Sequence, residues 1–272
     1  MAILTLDDAI AGAQPPAHFL KQTGTMEAIG QPHSLFYTAG LPGAATTPAP
    51  GVAGEALTTY TGQLHFVDPG VGEEARLFRL DVAAGVAGTL LLCDRLWHNS
   101  GLAPATTTAQ TVDSAAFPAR DRDGLTAGTD VLIGIEVRVA TTNAGAVTNT
   151  TMLYTNSAGT DTRTATMPSF PATAVAGTFV PFLLAAGDQG VQSIQSVTLG
   201  TSYAPSGSPA IHLVAYRVLA RIGCTTANIA ANVDAITGGF VKLHADTVPF
   251  LVWVPTATTT MQVQGQFIQT IG

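Results

Sequence analysis

The densest run of chemically capable side chains is Cys93-Asp94-Arg95-Leu96-Trp97-His98-Asn99-Ser100-Gly101. Asp94, His98 and Ser100 are the acid, base and nucleophile types of an acyl-transfer triad. A triad is defined by geometry, and residues crowded into one short turn do not line up in series. No Gly-x-Ser-x-Gly elbow occurs in the chain. The segment therefore reads as a structural loop anchor. Asp94 and Arg95 are expected to pair and cap, Trp97 to hold the loop, and His98 and Asn99 to satisfy buried backbone groups.

The nearest approach to a calcium loop is Ala119-Arg120-Asp121-Arg122-Asp123-Gly124, followed by Asp130. An EF-hand would have a further oxygen ligand at Ala119 and a bidentate Glu where Asp130 stands, between two helices. Asp121, Asp123 and Asp130 thus read as a charged surface turn that meets an ion only adventitiously. The histidines at 18, 33, 65, 98, 212 and 244 are isolated and show no zinc spacing. Cys93 and Cys224 lie beside apolar runs, where a free thiol behaves as a small buried hydrophobe. Phosphate-loop and dinucleotide fingerprints are missing. No catalytic residue, metal or cofactor is expected, and the chain does not read as an enzyme.

Composition points the same way. Only 11% of the 272 residues are charged, against about 25% in an ordinary soluble domain. Ala, Gly and Thr together make about 40% of the chain, and lysine occurs only at Lys21 and Lys242. A net charge of −7 without basic clusters argues against a nucleic-acid partner. No apolar run approaches the roughly 20 residues of a spanning helix, so no membrane partner is expected. The first thirteen residues lack a basic region and carry Asp7 and Asp8, unlike a secretory signal.

The elements that must position these residues are strands. Val131, Ile133, Ile135, Val137 and Val139 alternate with Leu132, Gly134, Glu136 and Arg138, which is the period of a β-strand. Similar runs include Gln63–Val67, Arg76–Val82, Thr89–Cys93, Thr150–Tyr154, Val191–Leu199 and Val248–Val254, separated by turns such as Asn156-Ser157-Ala158-Gly159. The fold expected is all-β, a jelly-roll-like β-sandwich over residues 61–272. Two helices are expected, Leu6–Ala11 capped by Thr5 and an Ala-rich one at Thr226–Ile236 near the C-terminus. Residues 1–60, punctuated by six prolines after Ala13, read as an extended proline-rich N-terminal arm. Its apolar residues Phe19, Leu20, Leu35, Phe36 and Tyr37 are the expected assembly contacts.

Three segments carry a resemblance. Gly88 to Gly101, Ser114 to Asp121 and Tyr154 to Thr160 resemble stretches of virion structural proteins of tailed bacteriophages. The resemblance spans about 35 to 270 and brings no catalytic residues. It implies a particle component, made in the host cytoplasm and built into the virion, whose partners are copies of itself and major capsid or other virion proteins. A sandwich with an arm suits a capsid decoration or cement protein, with a trimer favoured at local threefold positions. A neck, tail, baseplate or major-shell component is the alternative within the particle. A host-glycan-binding module is the alternative of another class, and it calls for exposed aromatics.

Overall fold

A computed structural model describes residues 3–24, 26, 28–143, 145–203 and 211–272. The single α-helix among them, α1 (Leu6–Ala11), starts where the sequence places it. Thr5 Oγ1 accepts from the Asp8 N–H at 3.1 Å and Asp8 Oδ2 accepts from the Thr5 N–H at 2.9 Å, a reciprocal cap. Everything else regular is strand, and every strand pairing is antiparallel.

Three sheets build the body. The central one has the order β11 (Phe179–Pro181), β8 (Leu132–Val137), β13 (Ile211–Cys224), β6 (Gly88–His98), β16 (Pro249–Pro255) and β2 (His33–Ser34), with β4 (Glu55–Ala56) also on β6. A second sheet runs β14 (Ala231–Asp234), β5 (Ala75–Ala84), β17 (Gln262–Ile271), β1 (Ala17–Gln22) and β3 (Gly40–Leu41), with β15 (Lys242–Leu243) also on β5. The third is β10 (Arg163–Thr166), β9 (Thr151–Asn156), β12 (Val191–Thr198) and β7 (Gln110–Thr111).

The sheets pack face to face, as a sandwich must. The second sheet lays Phe19, Leu80, Val263 and Phe267 against Leu90, Leu92 and Ile222 of the central sheet. The third sets Met152, Tyr154, Ile194 and Val197 against Ile133, Ile135, Leu213 and Ala215. A smaller core joins Cys93, Val214, Tyr216, Phe250 and Val252 to Phe36 and Ala45. Both cysteines are free and buried, as their apolar surroundings suggest, and burial pushes both thiols up.

Three sequence expectations need correction. Thr226–Ile236 is not a helix. Residues 231–234 pair instead with the free edge of β5, Val233 opposite Leu80, while Ile229 and Ile236 are exposed. A vacant strand edge outweighs a weak helical preference. Gln63–Val67 belongs to no strand; its extended backbone is tied by Leu64 N–H to Pro249 O and by Val67 N–H to the Gln269 side chain. The first sixty residues do not form a free arm. β1 lies between β17 and β3, β2 extends the central sheet, and Phe19, Met26, Leu35, Phe36 and Leu57 are buried in the body. Prolines interrupt the segment locally, but its apolar side chains still find core to fill.

Lys21 illustrates how tightly this segment is held. It is 2% exposed on β1, and its ammonium donates to the carbonyls of Pro42 at 2.8 Å, Thr38 at 3.2 Å and Gly43 at 3.4 Å. No carboxylate faces it among these partners, and burial lowers its pKa to about 8 from 10.5.

Two outcomes follow. Removing residues 1–57 deletes five large buried side chains at about 1.5–3 kcal/mol each, comparable to a whole domain's stability of about 5–15 kcal/mol. The truncated chain is expected to be unfolded by circular dichroism and aggregation-prone, and a cooperative melt would contradict this. For Lys21, the folded pKa lies below the unfolded one, so the unfolded chain binds more protons between about pH 8 and 10.5. The buried thiols and tyrosines, held up in the fold, oppose this over the same range. The Lys21 contribution is therefore read as a difference: the unfolding free energy of the wild type minus that of Lys21→Met, from urea titrations, should rise across the window by up to about 3 kcal/mol, and a pH-independent difference would contradict this.

Candidate functional site: a buried charged seam

The segment expected to be a turn is the second half of β6, fully strand through His98. Leu96 is an extra residue there: Trp97 pairs with Ala215 and Arg95 with Tyr216, leaving Leu96 unopposed. Such a bulge reverses which face the following side chains take. It brings Arg95 and His98 to one face, where Arg95 Nε donates to His98 Nδ1 at 3.2 Å. Arg95 Nη2 also donates to Glu136 Oε2 of β8 at 2.7 Å, and both side chains are fully buried. The guanidinium lies over the rings of Phe36 and Phe250, 4.5 and 5.5 Å from their centroids. His212 of β13 stands directly opposite Glu136 in the sheet, and Tyr60 packs edge-on against His98.

Asp94 serves the other face. Its carboxylate takes a two-pronged contact from Arg120, Nε to Oδ2 at 3.0 Å and Nη2 to Oδ1 at 3.2 Å. It also accepts the Val248 N–H at 2.9 Å. Arg120 spends its remaining donors on Leu57 O and Arg95 O. Asp94 and Arg95 therefore do not pair with each other. Strand neighbours point to opposite faces, so each finds a distant partner.

The remaining candidates resolve similarly. Ser100 Oγ accepts from Gly51 N–H, and Asn99 bridges the Leu213 N–H and Val52 O, so Ser100 forms no chain with Asp94 and His98. Trp97 does anchor its surroundings, donating from Nε1 to Ala53 O and packing its ring on Gly54, where a side chain would run into the indole and the His98 carbonyl. Asp121 turns both oxygens onto backbone N–H groups of Asp123, Leu125, Gly128 and Thr129. Asp123 and Asp130 face Arg122 at 3.1 and 3.8 Å. Among the described residues no three His, Cys, Asp or Glu side chains converge to hold a metal. Of the expected contact residues, Phe19, Leu35 and Phe36 are buried, Tyr37 is half-buried, and only Leu20 is exposed. Trp97 and Trp253 are both fully buried, so neither offers a face to a sugar ring.

Electrostatics keeps the seam ionised but its histidines neutral. Burial works against the Glu136 carboxylate, but the Arg95 charge outweighs it and holds Glu136 below the usual range. Burial lowers His33 to about 4, His212 to about 4 and His98, beside Arg95, to about 2. No hydrogen bond of normal geometry reaches Arg95 Nη1, His33 Nδ1 or either ring nitrogen of His212. Sequence reading missed Glu136, Arg120, His33 and His212 as members of the seam. A carboxylate sharing a strand face with Leu132 and Gly134 was the one available signal.

No protein-family model matches the chain, and no curated protein sequence matches it. Among solved structures, infectious bursal disease virus Gt strain aligns at 13% identity over 95% of this chain and 80% of that chain, with a TM-score of 0.20. The VP2 subviral particle of the same virus aligns at 10% identity over 95% and 80%, with a TM-score of 0.21. Its derived T=1 particles align at 11% identity over 95% and 77%, with a TM-score of 0.20. Superpositions this loose carry no argument about the chain.

The seam predicts a non-additive mutational pattern. Removing one partner, as in Arg95→Met or Glu136→Leu, strands a buried charge and should cost about 3–5 kcal/mol. The double variant should recover most of that loss in urea titrations, because no lone charge remains. Additive losses would show that the pair does not act as a unit.

Proposed function

We propose that the chain is a non-enzymatic structural component of a tailed-bacteriophage virion, and within the particle a capsid decoration or cement protein that binds as an assembly of its own copies. The observation that carries this reading is where the scarce charge goes. Lys21, Asp94, Arg95, Arg120, Asp121, Glu136 and Arg217 are all buried, so a chain already poor in charge turns still less of it to solvent. Its outer surface instead shows Leu4, Leu6, Ile10, Leu20, Leu41, Leu153, Leu183 and Ile236.

The outer face of the second sheet concentrates the effect. His18, Leu20, Leu41, Gln264 and Gln266 line a shallow groove of about 410 Å³. The charges beside it are already matched, Arg79 with Asp81 at 2.8 Å and Gln266 donating to Asp81 at 2.6 Å. Such a face is cheap to desolvate, since it strands no charge on burial. The three segments resembling phage virion proteins support the particle context, and the wholly internal use of the Cys93–Gly101 residues supports a role without catalysis.

Light scattering on a sizing column tests self-association. A trimer is expected, which Leu20→Glu with Leu41→Glu should dissociate without lowering the melting temperature of the monomer. A hexamer or dodecamer would favour a neck or tail ring instead. Shells stripped of the protein should lose resistance to heat and regain it on adding the protein back. Full resistance without it would end the cement reading.

A further inference from the structure

The second sheet ends on a bare strand. β14 pairs with β5 on one side, and nothing among the described residues pairs with it on the other. The remaining sheet ends are closed or short. β2 and β11 shut the central sheet on itself, Ser34 N–H to Gly177 O at 2.6 Å and Phe179 N–H to Pro32 O at 2.9 Å. Leu183 takes the outer side of β10, exchanging both backbone bonds with Thr166. β3, β4, β7 and β15 are two residues each, and β3 runs into Pro42. Proteins guard an open edge with lysine, proline or a bulge. β14 has none of these: its register on β5 is unbroken, and it contains neither lysine nor proline.

Backbone parity sets what the edge offers. Ala235 N–H donates to Phe78 O at 2.8 Å, in phase with Val233 opposite Leu80 and Ala231 opposite Val82. Odd-numbered residues therefore bond to β5, and Asn232 turns its N–H and C=O away from it. Ala230, just ahead of the strand, makes no backbone bond among the described residues, and both residues are exposed. The surroundings are neutral: from Cys224 to Phe240 the only charged residue is Asp234. Its carboxylate is spent locally, Oδ1 accepting the N–H groups of Ile236 at 3.1 Å and Thr237 at 2.9 Å. The Asp234 N–H donates to Thr237 Oγ1 and its carbonyl accepts from Gly238, which ends the free stretch. Ile229, 60% exposed, flanks the other end.

We propose that β14 is a docking edge for a second copy of this chain: two β14 strands pair antiparallel about a two-fold axis and join their second sheets into one continuous sheet. A two-fold axis sets like against like, so an edge bearing net charge repels its own copy, whereas a neutral edge does not. The free groups are also self-complementary. With Ala230 of each copy opposite Asn232 of the other, both N–H groups and both carbonyls on each side find partners. The same register sets Ile229 opposite Val233 of the other copy and adds an apolar contact. Each copy has one such edge among its described residues, so pairing closes at two and does not grow into a fibre. The contact lies at the rim of the second sheet, apart from the Leu20 and Leu41 face, and it stands without the virion reading.

Sedimentation equilibrium and peptide-resolved hydrogen exchange test it on the full chain carrying Leu20→Glu and Leu41→Glu, which removes the sheet-face contact. Across a rise in concentration on the order of a hundredfold, the mass should double. Peptides covering 229–234 should then exchange more slowly, while those of β9 and β12 stay unchanged. Asn232→Pro removes the outward N–H but leaves the bonds to β5, and Asn232→Lys sets two like charges across the axis. Both variants should melt like their parent and keep the lower mass at every concentration. A mass that does not change with concentration, growth beyond a doubling, or doubling without slower exchange at 229–234 would each overturn the edge contact. Doubling that survives in a folded Asn232→Lys would overturn it as well.

Discussion

The structure turns on two adjacent side chains of one strand. Asp94 and Arg95 leave β6 on opposite faces, and neither has water to solvate it. Each must be matched inside the protein, because an isolated buried charge is far costlier than any single contact nearby. Asp94 draws in Arg120, which in turn fixes Leu57 O and Arg95 O. Arg95 draws in Glu136 and His98, and the aromatic rings of Phe36 and Phe250 close around it. The central sheet is thus tied to the loop below and the N-terminal segment above by charges that have no other place to go. In stability such pairs roughly break even against apolar packing; we attribute to this one a role in selecting the register.

The long strands β6 and β13 let one sheet serve several cores. Leu90 and Leu92 face the second sheet, whereas Leu96 and Trp97 face the third. Irregularities at Leu96 and Leu219 change the parity of side chains part-way along each strand. Without them a strict two-residue alternation would carry polar residues into one core or apolar residues out of the other. The Leu96 bulge also creates the Arg95–His98 contact, so a packing device and an electrostatic one share a single residue.

Turning charge inward has a consequence outside. A surface thinned of charge, with threonine, glutamine and scattered aliphatic side chains between the charges that remain, repels neighbours weakly and loses little on being covered. The Arg79–Asp81–Gln266 arrangement shows polar groups satisfied within the face itself. That is the surface chemistry a long-lived assembly needs, and it is what joins the buried seam to the proposed structural role.

Local chemistry was legible in the sequence. The Thr5–Asp8 cap, the alternation from Val131 to Val137, the Asn156–Gly159 hairpin and the buried free thiols each depend on a few neighbouring residues and their preference for water or oil. Residues 226–236 form no helix because Thr226, Asn228, Ile229, Asn232, Val233, Asp234 and Ile236 offset the helix preference of the alanines between them, and the edge of β5 settles the choice. The N-terminal segment was misread because proline marks where regular structure stops, not where a side chain is buried. The partners of Asp94 and Arg95 lie 26 and 41 residues away, and which of them each could reach depended on strand order, a bulge and the sheet's two faces. Sequence by itself determined that this is a β-rich chain poor in charge. Only the tertiary structure decided that Asp94, Arg95, Arg120 and Glu136 lie inside and which of them pair, because desolvation and pairing are settled between residues that the chain brings together only by folding.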